Sequence, residues 1–413
     1  MNRIVLIGNG FDLAHGLKTS YKDFIDWYWE QWGNNLLHGP SKEVSDGLCS
    51  FKINDSIDVP NWSWAFQGGH YKRDNPRIPW NALDVINLVK GDKNFCKFSM
   101  SPFLQQICNC IDTKKWVDIE NEYYDLLTKC VLEGNTPTTI EDLNAQLHTL
   151  QEKLVEYLCI EVDKDNKPIA KIRNAIYSQF KKEDISIAGQ QNLTEHIEGI
   201  LQQDEREWYY KLSQYENFYN SSEINRYKND IVEGKNVKET EIPIELLLPN
   251  QIMFLNFNYT NTADKYILPQ KSIFTINHIH GQINKPESVI FGYGDEIDEK
   301  YKELEQNKDN RCLNNIKSIR YLEADNYRKI LSFIEAEPYQ IIIFGHSCGN
   351  SDRTLLNTLF EHENCVSVKP YYHKKADGTD NYLELIQNIS RNFTDMKLMR
   401  DRVVNKTYCE TMV

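Results

Sequence analysis

The sequence lacks several features that define whole classes of protein. No apolar run approaches the length of a membrane-spanning helix, and the mean hydropathy is −0.59, so we expect a soluble protein without a membrane partner. Basic residues number 47 against 60 acidic ones, and the net charge of −13 argues against a nucleic-acid partner. We find no internal repeat and no low-complexity segment. The 40 % hydrophobic content is typical of a packed globule.

The ten cysteines include no Cys-x-x-Cys pair, which argues against a four-cysteine zinc site. Only Cys108 and Cys110 are closely spaced. His278 and His280 share one face of a strand but have no third ligand nearby, so we expect no metal site. The apolar strand that begins at residue 4 leaves no room for a signal peptide. We therefore expect a cytoplasmic protein with reduced thiols.

The opening of the chain carries the clearest functional pattern. An apolar run at residues 4–7 leads directly into a glycine-containing turn and then a helix-like segment. This pattern is typical of a buried parallel strand followed by a phosphate-binding loop, in which glycines let the backbone approach an anion. A tight turn without ligand is the alternative, because Leu13 occupies the third glycine position of the dinucleotide fingerprint. The candidate ligand-binding residues of this loop are Gly8, Asn9, Gly10, Phe11 and Asp12.

Further apolar runs predict a parallel sheet. Residues 251–257 and 340–344 each run into a polar loop, and residues 272–279, 289–291 and 365–369 are shorter candidate strands. Ligands collect at the carboxyl ends of parallel strands, so we expect the polar residues that follow these strands to converge on one rim. Beyond the first loop, the candidate site residues are Asn258, His280, Gly292, Gly345, His346, Ser347 and Asp352.

The middle of the chain has a helical pattern. Apolar residues recur three or four positions apart across residues 138–162, with Thr138 or Thr139 as the N-cap. The sequence thus predicts an α/β fold, a Rossmann-type parallel sheet with helices on both faces, plus a large, mainly helical insertion. We predict a discontinuous nucleotide-binding domain from residues 1–35 and 250–413, and an insertion of residues 36–249.

Several segments of the chain resemble the AbiH family, the bacteriophage abortive-infection proteins. Residues 8–24 resemble the N-terminal signature of that family, and residues 344–352 resemble its last motif. Residues 116–127 and 256–262 are similar to its middle segments, as are the dipeptides at residues 280–281 and 291–292. The resemblance implies an antiviral defence protein. Its expected partners are a phage-derived trigger and a second copy of the chain.

The order of the motifs is also similar, more distantly, to that of sirtuin-like NAD-binding domains. That resemblance implies a phosphate loop at Gly8 and Gly10, a catalytic asparagine at Asn258 and a catalytic histidine at His280. NAD would be a substrate or ligand, hydrolysed at its nicotinamide–ribose bond, with no tightly bound cofactor. Thr260 stands where the family has an aspartate, and the zinc-binding cysteine pairs of deacetylating members are missing, which argues against protein deacetylation.

The chemistry of these side chains is consistent with NAD hydrolysis. Cleavage of the bond passes through an oxocarbenium-like state, and an amide such as Asn258 can hydrogen-bond ribose hydroxyls and an attacking water. A neutral imidazole such as His280 can take a proton near neutral pH. Asp12 or Asp352 would bind ribose hydroxyls. In a plainer interpretation, Asn258 only caps a helix that starts near Thr260.

Two other functions stay open on the sequence. Residues 345–349 fit Gly-x-Ser-x-Gly, the nucleophile elbow of α/β-hydrolases, which makes Ser347 a candidate nucleophile. Asp352 is the one aspartate between Ser347 and His362, and it is too close in sequence to serve well as the acid of a triad. The other function is a non-catalytic sensor or scaffold. Its insertion would contact a phage component or a second copy, and nucleotide would regulate the assembly.

Overall fold

The computed structural model describes residues 1–72, 79–114, 118–134, 136–162, 166–215, 222–235, 242–267 and 273–413. The strands in these residues are β1 (Asn2–Ile7), β2 (Glu43–Ser45), β3 (Cys49–Ile53), β4 (Cys96–Met100), β5 (Ile252–Asn256), β6 (Phe274–His278), β7 (Tyr339–Phe344) and β8 (Cys365–Tyr371). The α-helices are α1 (Asn9–Ala14), α2 (Tyr21–His38), α3 (Trp62–Trp64), α4 (Ala82–Gly91), α5 (Pro102–Lys114), α6 (Ile119–Thr128), α7 (Ile140–Glu161), α8 (Ala170–Ile176), α9 (Gln190–Gln202), α10 (Glu205–Leu212), α11 (Ser222–Val232), α12 (Glu299–Gln306), α13 (Lys317–Arg320), α14 (Asn326–Ala336), α15 (Arg353–Glu361), α16 (Tyr382–Arg391) and α17 (Met396–Arg402).

Five parallel strands form the main sheet, in the spatial order β6-β5-β1-β7-β8. Numbered along the chain within this sheet, the order is 3-2-1-4-5, which is the order of dinucleotide-binding doubly wound folds. The order reverses between β1 and β7, so the loops that follow these two strands flank the topological switch point. The predicted α/β fold class with a parallel sheet is confirmed.

Helices cover the main sheet on both faces, because successive side chains of a strand point to opposite sides. Ile4 and Leu6 pack against α14, α15 and α16 in one core, whereas Val5 and Ile7 pack against α1 and α8 in the other. Burial on both faces explains why these strands appear in the sequence as continuous apolar runs. Because α8 belongs to the predicted insertion, that segment also contributes to the cover of the sheet. The division into two domains stays a prediction.

The middle of the chain contains helices and also a second sheet that the sequence analysis missed. Strands β2, β3 and β4 pair antiparallel, and α2, α4 and α7 pack with them around an aromatic core. The predicted start of α7 is confirmed, because the side chain of Thr139 accepts the N–H of Asp142. Across the described residues, no helix combines the length and the apolar character needed to cross a membrane.

One predicted strand is wrong. Residues 289–291 are buried, as their apolar character indicates, but no neighbouring strand pairs with them. The N–H of Ile290 donates to the carbonyl oxygen of His280 at 3.0 Å, and the hydroxyl of Tyr259 donates to the carbonyl oxygen of Ile290 at 3.2 Å. A loop and a side chain therefore satisfy this backbone. Of the predicted strand at 272–279, Ser272 lies outside the described residues.

Candidate functional site

A cavity of about 640 Å³ lies at the carboxyl ends of the main-sheet strands. Its volume is within the range of small-molecule binding sites. The loops after β1, β5, β6 and β7 all reach its wall, as expected for a rim where parallel strands end. Ten of the twelve residues predicted from the sequence line the cavity, namely Gly8, Asn9, Gly10, Asp12, Asn258, His280, Gly345, His346, Ser347 and Asp352.

The other two predicted residues, Phe11 and Gly292, do not line the cavity. Phe11 is fully buried in the sheet core, with its ring centroid 5.3 Å from that of Tyr266. The N–H of Gly292 donates to Glu120 Oε1 at 3.1 Å, and a Cβ on this glycine would lie 2.0 Å from the carbonyl oxygen of Asn315. Both residues thus support the cavity wall from behind, where tight packing keeps them from a ligand.

The glycine-containing loops after β1 and β7 lie directly against each other. The N–H of Gly10 donates to the carbonyl oxygen of Gly345 at 2.8 Å, and the N–H of Gly8 donates to that of Phe344 at 3.1 Å. A Cβ on Gly8 would lie 2.4 Å from His346 Cα, and one on Gly10 would lie 2.8 Å from Gly345 Cα. Gly8 and Gly10 therefore allow a contact between two backbones, and their N–H groups are engaged inside the protein.

Asn258 connects the loop after β5 to the first loop. Its Nδ2 donates to the carbonyl oxygen of Gly8 at 3.1 Å, and its own N–H donates to Asn256 Oδ1 at 3.0 Å. It does not cap the following 3₁₀ helix (Thr262–Tyr266), whose N-cap position is Asn261. Within the described chain Asn258 Oδ1 accepts no hydrogen bond, so this oxygen remains an acceptor at the cavity wall.

Asp12 is almost completely buried at the base of the cavity, with 1 % of its surface exposed. The hydroxyl of Thr260 donates to Asp12 Oδ2 at 2.6 Å, while Oδ1 is buried with no hydrogen-bond partner among the described residues. Desolvation raises the pKa of Asp12 to about 6, although the hydrogen bond from Thr260 opposes this rise. A buried acceptor without a partner is a group that a ligand hydroxyl or amide can satisfy.

A charged cluster, which we call the Lys317 cluster, contributes five of its six members to the cavity wall, while Lys317 itself does not line the cavity. Its members are Lys317, Asp352, Glu120, Asp118, His280 and His346. The Lys317 ammonium is 1 % exposed and donates to Asp352 Oδ1 and to Glu120 Oε2, both at 2.8 Å. Asp118 Oδ1 accepts the N–H groups of residues 120 and 121, both at 3.2 Å, and so caps α6. One ammonium thus faces three carboxyl groups.

The three carboxyl groups have different electrostatic environments. Burial would raise the pKa of Asp352, but the Lys317 ammonium holds it well below its ordinary range. Burial raises the pKa of Glu120 and of Asp118, and the negative charge of Asp352 adds to both increases. Asp352 is therefore the ionised member, whereas Glu120 and Asp118 hold their protons to higher pH. Titratable groups perturbed in this way inside a cavity are typical of functional sites.

His346 presents a proton to Asp352. Its Nδ1 accepts the N–H of Cys348 at 2.9 Å, so the proton of the neutral ring is on Nε2, 3.5 Å from Asp352 Oδ2. Cys348 itself has a φ of 53° in the left-handed region, which is uncommon for a residue other than glycine. This strained turn places the N–H of Cys348 against the imidazole and so fixes the ring.

His280 has the opposite arrangement of its two nitrogens. Its Nδ1 donates to the carbonyl oxygen of Phe257 at 3.2 Å, because a carbonyl oxygen can only accept. Its Nε2 lies 3.2 Å from the hydroxyl of Tyr321 and 3.3 Å from Asp352 Oδ1. Burial lowers the pKa of His280, and the positive charge of Lys317 lowers it further. The neutral ring thus has its lone pair on Nε2, where a captured proton would form an ion pair with Asp352.

Ser347 lacks the surroundings of a hydrolase nucleophile. Its side chain is exposed at the cavity, and the described residues include no histidine hydrogen-bonded to its Oγ. The neighbouring His346 faces Asp352 instead, and Asp352 is engaged by Lys317. The left-handed residues of the turn are Gly345 and Cys348, not the serine. A serine–histidine contact, which activates such a nucleophile, is absent from this part of the chain.

No metal site is apparent in the described part of the chain, because no group of three His, Cys, Asp or Glu side chains could hold an ion there. A family model described as "Bacteriophage abortive infection AbiH" matches residues 4–373. The chain belongs to the AbiH family. No curated protein and no solved structure matches the chain. The sirtuin-like resemblance therefore stays a prediction, while the AbiH match covers every residue of the cavity wall from Gly8 to Asp352.

Three residues of the Lys317 cluster were missed by the sequence analysis, namely Asp118, Glu120 and Lys317. Glu120 lies at the start of α6, within a segment that resembled the family, although residues 116 and 117 of that segment lie outside the described residues. Lys317 gives no comparable signal, because a lysine in a polar stretch usually marks a solvated surface. Through Asp118 and Glu120, the segment predicted as a helical insertion supplies part of the cavity wall.

We predict that replacing Gly8 with alanine destabilises the protein. The new Cβ would lie 2.4 Å from the backbone of His346, so the two loops must separate. We expect the free energy of unfolding to fall by about 1–3 kcal/mol in chemical denaturation. Gly199→Ala is the control, because a Cβ there meets open space within α9 and should stabilise the helix by about 0.5–1 kcal/mol. Equal stability of the two variants would contradict the proposed contact between loops.

We also predict that Asp12→Asn stabilises the protein, and increasingly so at higher pH. The folded pKa of about 6 exceeds the ordinary value of 3.8, so the favourable contribution of Asp12 is present below about pH 4 and is lost as the pH rises through 6. At pH 8 the gain in unfolding free energy should reach up to about 3 kcal/mol, and at pH 4 it should vanish. Thermal unfolding between pH 4 and pH 8 measures this gain in stability. Asp58→Asn is the control, because Asp58 is exposed. A gain that does not change with pH would contradict the assignment.

Proposed function

We propose that this AbiH protein acts in abortive infection by binding NAD at the cavity and hydrolysing its nicotinamide–ribose bond. One observation carries the proposal: the sheet has the strand order 3-2-1-4-5, and the cavity lies outside the carboxyl ends of its strands. Dinucleotides bind at that place in doubly wound sheets. The defence role follows the description of the family.

The Lys317 cluster supports hydrolysis at a glycosidic carbon. Departure of nicotinamide takes the bonding electrons with it and leaves positive charge on the ribose, which the ionised carboxylate of Asp352 favours. The oxygen of a water then bonds to the ribose C1′, with Asn258 Oδ1 accepting a hydrogen bond from that water or from a ribose hydroxyl. The water loses a proton to His280 Nε2, and the imidazolium is stabilised by Asp352 at 3.3 Å.

Other groups of the wall support recognition of the rest of the dinucleotide. Asp12 Oδ1, which is buried and has no hydrogen-bond partner in the described part of the chain, suits a ribose hydroxyl. Asn9 Oδ1 accepts the hydroxyl of Thr19 at 2.5 Å, so the amide Nδ2 of Asn9 remains as a donor for a phosphate oxygen. Both side chains follow the carboxyl end of β1, next to the switch point. Ligand donors and acceptors are thus available on the same side of the cavity.

Incubation of the purified full chain with NAD tests this function, with nicotinamide release followed by chromatography. We expect Asn258→Ala and His280→Ala to reduce the rate by at least about 100-fold, because each removes a group that acts on the reacting atoms. His148→Ala is the matched control, since this histidine is exposed on α7 and paired only with Glu152. Its rate should equal that of the unchanged protein.

Two outcomes would count against parts of the proposal. Equal rates in all four proteins would remove the roles of Asn258 and His280. Tight binding of NAD without release of nicotinamide, together with infection-dependent association, would instead favour a nucleotide-regulated sensor or scaffold. The contribution of α6 to the cavity wall gives such a sensor a physical route, because it joins the middle of the chain to the ligand site.

A further inference from the structure

We propose that Lys317 is the positioning residue of this site, which fixes Asp352 in the one orientation that serves both histidines. Lys317 belongs to none of the motifs that we identified in the sequence. It is the first residue of the short helix α13, and its N–H donates to the carbonyl oxygen of Tyr293 at 2.8 Å. Its backbone is therefore held while the side chain enters the cluster.

The carboxyl group of Asp352 divides its two oxygens between different partners. Oδ1 accepts from the Lys317 ammonium at 2.8 Å and lies 3.3 Å from His280 Nε2. Oδ2 faces His346 Nε2 at 3.5 Å. Rotation of the carboxyl group would break contacts with all three partners. The strong, charge-assisted bond from the ammonium is the shortest of the three, so it dominates the orientation.

The second bond of Lys317 attaches α6 to the same point. Glu120 Oε2 accepts from the ammonium at 2.8 Å, and Glu120 Oε1 accepts the N–H of Gly292. A buried ammonium requires partners that compensate for its lost hydration, and two carboxyl groups provide them here. The titratable groups that face Asp352 and His280 are Lys317, Glu120, Asp118, His346, Tyr21, Tyr259 and Tyr321.

Lys317 also sets the protonation of His280. Both groups contact Asp352 Oδ1, so the ammonium and the imidazole Nε2 are at most about 6 Å apart. At that separation the positive charge disfavours an imidazolium and keeps the lone pair on Nε2. The three tyrosines stay neutral because burial raises their pKa values well above 10. Without Lys317, the nearest full charge to His280 is the negative Asp352.

The test is Lys317→Met in the full chain, labelled with ¹⁵N-histidine and titrated by NMR. The His280 resonance is assigned from its loss in His280→Ala. We expect its titration midpoint to rise by about 1 pH unit or more, because a repelling charge is removed while Asp352 remains. The double variant Lys317→Met/Glu120→Gln removes the ammonium and also replaces its second buried partner, the Glu120 carboxyl group, with a neutral amide. It gives the same readout if the single variant does not fold.

Lys369→Met is the matched control. Lys369 is also buried and donates to Asp184 at 2.8 Å, but its partner Asp184 is not a member of the Lys317 cluster and does not line the cavity. This variant should lose thermal stability without moving the His280 midpoint, as expected for a lysine with only a structural role. An unchanged His280 titration in a folded Lys317 variant would overturn the proposal.

The importance of Lys317 for catalysis rests on the proposed function, but the titration of His280 that tests its positioning role does not. The titration can be measured in a protein that releases no nicotinamide, so failure of NAD hydrolysis and failure of the positioning role are distinguishable. If the protein does turn over NAD, we expect the rate of the Lys317 variants at neutral pH to fall at least tenfold. The activity of these variants should also change with pH around the shifted titration midpoint of His280.

Discussion

The burial of the Lys317 ammonium is the constraint on which the candidate site depends. A cation removed from water persists only where opposite charge compensates for its hydration. The compensating groups come from two distant parts of the chain, Glu120 at the start of α6 and Asp352 just before α15. The pairing with Glu120 can form only where α6 lies against the rim of the sheet. The lysine thus couples the helical middle of the chain to the strand ends that form the cavity.

The main sheet could be predicted because strands buried on both faces leave continuous apolar runs, as β1, β5 and β7 do. Residues 289–291 show the limit of that signal, since apolar character reports burial and does not report pairing. Strands β2–β4 were missed for a different reason. They are short, and β3 alternates buried and half-buried residues within a segment dominated by helical periodicity.

The site could be predicted only where topology alone determines position. Parallel strands bring their carboxyl ends to one edge, so polar residues of the segments that follow strands, such as Asn258 after β5 and Asp352 between β7 and α15, were found. Lys317 follows no strand, and only tertiary structure reveals that it is 1 % exposed. Phe11 does not line the cavity, because adjacency to a loop does not determine where a side chain points, and its ring packs in the core. Position in the sequence thus identified the residues at the rim of the sheet but did not identify the buried charge of Lys317.

The contact between the two glycine-containing loops constrains how a dinucleotide can lie in the cavity. In a phosphate-binding loop, backbone N–H groups face the anion, but here those of Gly8 and Gly10 donate within the protein. Phosphate oxygens must therefore find side-chain donors, such as Asn9 and Ser347 on the wall. Under the proposed function, the ionised carboxylate of Asp352 favours the end of the ligand that carries the cationic nicotinamide ring. That end then lies toward the Lys317 cluster, and the phosphates lie toward Asn9 and Ser347.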